Sequence, residues 1–173
     1  MAYIHSMSIA EHIRDTSLAA MGNTQEATVP GVNARYRQIG ALEHYAGTSL
    51  PSTSLPSIFI RPLHARYLEG AAGLITASEV LLTRIVYVQK FSENDAIPVA
   101  AQKGAAGEII VNALWEDWNF LDLSLSYAQI ESTFVDEVDY EPQEDIFAFT
   151  MGKNIFAIAI NHETVINVQR KQS

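Results

Sequence analysis

Residues 79–90, EVLLTRIVYVQK, are rich in β-branched and aromatic side chains and alternate without a break. Val80, Leu82, Arg84, Val86 and Val88 share one face of a strand, and Leu81, Thr83, Ile85, Tyr87 and Gln89 share the other. Both sets are largely apolar, so the segment reads as a central strand or as one covered by a partner. A strand of this kind needs neighbours on its edges and layers on its faces, and the flanking sequence is read for both.

Downstream, Ser92-Glu93-Asn94-Asp95 reads as a turn and helix cap. It leads into a helix over 96–117, AIPVAAQKGAAGEIIVNALWED, with Pro98 in the first turn. Ile97, Ala101, Gly104, Glu108, Val111 and Trp115 form one row of that helix. Ala100, Gly107, Ile110 and Leu114 lie beside it, and the small residues suit close approach to a sheet. The last third is strand-like over 126–138, 145–151, 154–161 and a short 164–168. Ile146 to Met151 and Ile155 to Ile160 alternate around Gly152-Lys153, which predicts a β-hairpin.

Upstream, SMSIAEHIRDTSLAAM (6–21) carries Met7 or Ile9, Ile13 and Leu18 or Met21 at helical spacing, with Ser6 or Ser8 as N-cap and Gly22-Asn23 as stop. Periodicity is lost from 22 to 57, a long Gly/Ser/Thr/Pro-rich loop of the kind ordered by neighbouring subunits. Ser57 to Arg61, bracketed by Pro56 and Pro62, is a short strand whose prolines suit an edge or a strand end. The order of helix, loop, strands, helix and strands predicts an α+β fold. It has a largely antiparallel sheet with two main helices packed against it, in one domain over 1–173.

With no cysteine, disulfides and thiolate chemistry are excluded. No run approaches the roughly 20 apolar residues of a membrane span, and MAYIHSMSIAEHIRD lacks the basic start of a secretory signal. A soluble intracellular product without a membrane partner is therefore expected. The net charge of −9 is unevenly placed: residues 1–90 hold seven Lys+Arg against six Asp+Glu, and residues 91–173 hold four against fourteen. Such a second half cannot grip nucleic acid by counterion release.

The acids are densest in FVDEVDYEPQED (134–145), which holds Asp136, Glu137, Asp139, Glu141, Glu144 and Asp145. A calcium loop would need a central Gly and a bidentate Glu, both missing here. A glycosidase pair would need two carboxylates facing across a cleft, not crowded on one strand. The run reads as a strand end and turn presenting charge to a lumen or rim. His5, His12, His44, His64 and His162 show no metal-ligand spacing and are expected at surfaces or interfaces. The GxxG of Lys103-Gly104-Ala105-Ala106-Gly107 resembles a nucleic-acid clamp, but its acidic setting favours close helix packing. No phosphate loop, dinucleotide fingerprint or nucleophile elbow occurs, and no catalytic residue, cofactor or metal is expected.

An N-terminal helix, Leu55-Pro56-Ser57-Ile58-Phe59-Ile60 after a loop, EVLLTRIVYVQK, AAQKGAAGEIIVNALW, and an acidic strand leading to FAFTMGKNIFAIAI occur here in that order. Over about residues 50–168 this layout resembles the tail terminator proteins of tailed bacteriophages and related minor tail proteins of the head–tail junction. The long 22–57 loop departs from a compact terminator. The resemblance implies a non-enzymatic virion protein, assembled in the host cytoplasm into a homohexameric ring. That ring would cap the tail tube, dock to the connector and let DNA pass without specific binding. The run from Asp136 to Asp145 would then face the lumen or rim, and Leu55, Ile58, Phe59 and Tyr87 are candidate subunit-interface residues. Another neck or head-completion protein is the alternative role, and a small acidic metal-binding enzyme domain is a third.

Overall fold

The computed structural model describes residues 5–22, 57–67, 76–120, 123–142 and 154–169. Their elements are α1 (His5–Gly22), β1 (Ser57–Tyr67), β2 (Thr76–Lys90), α2 (Val99–Glu116), β3 (Ala128–Asp139) and β4 (Ile155–Gln169). The fold is α+β. One four-stranded sheet runs in the order β1-β2-β4-β3, with every neighbouring pair antiparallel.

β2 is central, as its two apolar faces require. Leu81, Thr83, Ile85, Tyr87 and Gln89 are all buried on the face that receives the helices. On β4 the inward set is Phe156, Ile158, Ile160, His162, Thr164 and Ile166, also buried throughout. Ile58 and Ile60 of β1 join them, and Ile9, Ala10, Ile13 and Met21 of α1 with Ala106, Ile110, Val111 and Leu114 of α2 close the core. Each fully buried Ile or Leu contributes roughly 1.5–3 kcal/mol through removal from water, so this layer is the main source of stability. The second face of the sheet is buried at Val86, Val88 and Ala159 and opens towards Leu82 and Glu163.

Several boundaries differ from expectation for physical reasons. β1 runs through Pro62 to Tyr67, because an edge strand needs no donor on its outer side and a register shift between Pro62 and His64 absorbs the ring. α2 begins at Val99 with Pro98 at its N-cap, which has no side-chain cap bond. Ser92–Asp95 forms a separate turn in which the Asp95 carboxylate accepts from the Ser92 backbone N–H at 2.9 Å. The buried side of α2 is the Gly107, Ile110 and Leu114 row with Ala106 and Val111, whereas Ala101, Glu108 and Trp115 are exposed. β4 is one continuous 15-residue strand, not two. Residues 23–56 of the expected 22–57 loop and the first arm of the expected hairpin, 145–151, lie outside the described residues.

Buried polar side chains tie α2 to the sheet. Tyr87 Oη donates to Gln89 Oε1 at 2.5 Å, and Gln89 Nε2 donates to Gln102 Oε1 at 3.1 Å. Gln102 Nε2 in turn donates to Asp95 Oδ2 at 3.1 Å and to the Ile97 carbonyl at 2.8 Å. A polar group taken out of water must be paired, and this chain of bonds sets where the first turn of α2 sits on β2.

Candidate functional site

Much of the acidic run lies on β3, an outer strand of the sheet. Two bulges shape it, one between Ile130 and Ser132 and one between Val135 and Glu137, leaving Glu131 and Asp136 as the extra residues. Ile130, Val135 and Val138 sit half-buried over the core, while Glu131, Asp136 and Glu137 are exposed. A bulge lets a strand keep its apolar set inward while adding an unpaired position outside it, and here both added positions carry a carboxylate. Glu137 Oε2 accepts from Asn161 Nδ2 at 3.5 Å, and Asn161 Oδ1 accepts from Arg84 Nη1 at 2.9 Å. Asp139 Oδ1 accepts from the Glu141 backbone N–H at 2.9 Å, closing the turn after the strand.

Glu141 does not point to a shared site with the others. Its carboxylate lies 2.6 Å from Lys103 Nζ, which also donates to the Tyr140 carbonyl at 2.9 Å. The end of the run is therefore fastened to α2. Glu144, Asp145 and Leu55 lie outside the described residues. Among the described residues no group of three or more His, Asp or Glu converges on a point where a metal ion would fit.

The GxxG lies inside α2, not in a loop, so it forms no backbone clamp. A Cβ on Gly107 would stand 3.2 Å from Tyr140 Oη and 3.6 Å from Ile158, so this glycine lets the phenol close over the helix. A Cβ on Gly104 would meet no other element within 4 Å among the described residues.

The proposed interface residues are placed differently from one another. Ile58 and Tyr87 are fully buried between sheet and helices by the chain itself, so neither keeps apolar surface for a neighbouring subunit. Phe59 lies in β1 opposite Val86. Large exposed apolar side chains are found elsewhere: Tyr67, Trp115, Trp118, Tyr127, Phe134 and Tyr140.

On the second face, His64 and Arg66 of β1, Val80 and Leu82 of β2, Glu163 of β4 and Asp136 of β3 line a pocket of about 190 Å³. Arg66 reaches over β2 to within 3.7 Å of Glu163. The pocket carries both signs of charge.

A second polar centre lies on the helix side. His12 Nε2 donates to Asp117 Oδ2 at 2.6 Å, and Thr16 Oγ1 donates to the same oxygen at 3.3 Å, joining α1 to the end of α2. Phe120 follows in a left-handed conformation, φ 47°, which is rare for a bulky residue. Its ring sits between two imidazoles, 4.7 Å from that of His12 and 5.5 Å from that of His162. His162 is 1 % exposed, so it is a core residue and not a surface or interface one. Its Nδ1 lies 3.3 Å from Thr164 Oγ1, and its Nε2 has no hydrogen-bond partner among the described residues. Burial disfavours the imidazolium and pushes the His162 pKa down to about 4. The remaining described histidines are His5, which donates to the Ser126 carbonyl at 2.9 Å, and His64 in the pocket.

No protein-family model matches the chain. No curated protein matches it either. Among solved structures it is similar to a chain from "Virion of native gene transfer agent (GTA) particle", with 10 % identity and a TM-score of 0.42. That alignment covers 87 % of this chain and 93 % of the other. A TM-score of this size does not establish a shared fold.

Among the described residues no helix is long and apolar enough to cross a membrane.

Proposed function

We propose that this chain is a structural protein of a tailed-phage virion, a tail terminator that forms a ring on the end of the tail tube and joins it to the head connector. The observation that carries the reading is the outward acidic strand. Glu131, Asp136 and Glu137 stand exposed on β3, with their apolar neighbours turned into the core.

Carboxylates arranged this way line a surface and do not converge on a substrate. Repeated around a ring, they give a wall that repels phosphate at short range, since exposed charges act over about 8 Å at physiological salt. DNA then passes without adhering, as a conduit requires. Of the residues expected at the lumen or rim, Asp136, Glu137 and Asp139 of β3 carry that role in this reading, together with Glu131, while Glu141 is held by Lys103. The exposed Trp115 and Trp118 lie on the other side of β3, where the Thr133 hydroxyl donates to the Trp118 carbonyl, and suit contacts with the tube or connector.

The test is to mix the purified chain with purified tail tubes of the particle that carries it and to image the product. A ring on one end of each tube, with the tubes no longer elongating, is the expected result. A ring found elsewhere in the neck would assign another junction role. A chain that stays monomeric and leaves the tubes bare would overturn the reading.

A further inference from the structure

The two outer strands of the sheet carry opposite charge. β1, SIFIRPLHARY, holds Arg61, His64 and Arg66 and no acid, while β3, AQIESTFVDEVD, holds Glu131, Asp136, Glu137 and Asp139 and no base. Among the described residues neither strand is paired on its outer side. His64 to Tyr67 are exposed on β1, and Glu131, Ser132, Phe134, Asp136 and Glu137 on β3, with Asp139 half-buried. An edge of this kind is a template for another strand unless its charges forbid the match.

Direction and register both permit a match between one copy and the next. An antiparallel sheet with an even number of strands has outer strands that run in opposite directions, so a second copy set beside β3 in the same orientation presents its β1 antiparallel. Three rows can be followed across all four strands: Arg61, Arg84, Asn161, Glu137; His64, Leu82, Glu163, Phe134; and Arg66, Val80, Val165, Ser132. Continuing the sheet row by row places Glu137 opposite Arg61 and Ser132 opposite Arg66, with the bulged Glu131 and Asp136 on either side. The bulge in β1 leaves His64–Tyr67 regular, and the two bulges in β3 leave Ser132–Val135 regular. These short stretches fall on overlapping rows. One exposed aromatic lies on each edge, Tyr67 at 68 % and Phe134 at 43 %.

We infer that β3 of one copy docks antiparallel beside β1 of a second copy of this chain, so that the sheet continues from subunit to subunit. The contact is head-to-tail. Pairing β3 with β3 sets carboxylate against carboxylate, and pairing β1 with β1 sets cation against cation, so charge selects the heterologous arrangement that closes rings. The bulges limit the ladder to the matched stretch and add twist to the sheet. The inference rests on the ring reading for closure and deepens it by naming the seam: backbone edges pair while side chains stay on the sheet faces, and four carboxylates of β3 against two arginines of β1 leave each seam net acidic. Arg66 already lies 3.7 Å from Glu163, but its own side chain is two-thirds exposed, which leaves the guanidinium available to a closer partner.

The test uses two charge-reversed chains, Asp136→Lys with Glu137→Lys, and His64→Glu with Arg66→Glu, followed by sedimentation with and without tail tubes. Circular dichroism checks that each is folded. Each variant alone should need at least about tenfold more protein to assemble, because like charges then meet at every seam. An equimolar mixture should assemble as the wild type does, since alternating copies restore opposite charge at each contact. Because the chain has no cysteine, Arg66→Cys with Ser132→Cys in one polypeptide supplies an independent readout. Mild oxidation should give a ladder of covalent oligomers that ends at the ring size.

Wild-type rings that form while the variants assemble equally well and the cysteines stay unlinked would overturn the seam and leave the ring reading standing. A ladder that forms from a chain unable to bind tubes would support the seam and overturn the terminator role. A chain that neither assembles nor cross-links would overturn both.

Discussion

The helix-covered face of the sheet and its two outer strands follow different rules within one short chain. On the covered face, β2 and β4 place side chain after side chain at zero exposure, and every helix contributes to the same core. On the outer strands, β1 and β3 expose charges of opposite sign and break their own regularity with bulges. Stability is concentrated where the chain closes on itself, and exposed charge is concentrated where it does not. Substitutions on the two regions should therefore differ in kind: the first should alter unfolding, the second assembly.

The largest effect is expected at Ile85 or Ile160, fully buried partners on adjacent strands. Replacing either by Ala should cost about 2–5 kcal/mol in denaturant unfolding, through lost transfer energy and the cavity left behind. A loss below about 1 kcal/mol would break the contrast, since that is the scale of an ordinary surface change.

Acid should sharpen the comparison through His162. Its folded pKa of about 4 lies below the ordinary histidine value near 6.5, so the unfolded chain binds the proton more readily. The contribution is fully present above pH 6.5 and is lost as pH falls towards 4. At pH 5 the loss should be on the order of 2 kcal/mol. Unfolding curves of the wild type and His162→Gln at pH 7 and pH 5 measure it. The variant should lack this part of the acid slope, and equal slopes would remove the assignment.

Gly104→Ala should act with the opposite sign. An added Cβ would meet no other element within 4 Å among the described residues, and a helix interior favours Ala over Gly by about 0.5–1 kcal/mol, so midpoints should rise. The smallest effect on stability is expected on the outer strand. Glu131→Gln should change unfolding by less than about 0.5 kcal/mol, because the side chain is exposed on a bulge. A large loss there would mean that the acidic strand belongs to the core after all.

Much of the covered face was legible in the residues. Alternation in 79–90 and helical spacing in 6–21 are strong local signals, and both elements form where those signals lie. β4 was harder, because Asn161-His162-Glu163-Thr164 interrupts the apolar run. The interior accepts His162 and Thr164 by setting them beside each other, and that pairing has no local sequence signal. The buried side of α2 was only partly readable, since Ala and Gly carry little hydrophobic contrast. Strand order was not readable at all: β4 enters between β2 and β3 through non-local pairing. The same limit explains Ile58 and Tyr87, because an apolar strand face looks alike whether its own helices or a neighbour covers it. The acidic strand was visible as composition, but the bulges that turn Glu131 and Asp136 outwards appear only in the register.

Phe120, held between the imidazoles of His12 and His162, has a further use as an optical and magnetic reporter. An aromatic ring shields nuclei that lie over its face, so the carbon-bound imidazole protons of the stacked His162 should resonate upfield of free histidine, and those of the tilted His12 should be displaced from their free positions while α1 is seated. The signals draw on two separate elements, one helical and one in the sheet. A return of the His12 signals alone to ordinary positions would mark α1 leaving the sheet, and a joint return of both histidines would mark Phe120 itself withdrawing from the core.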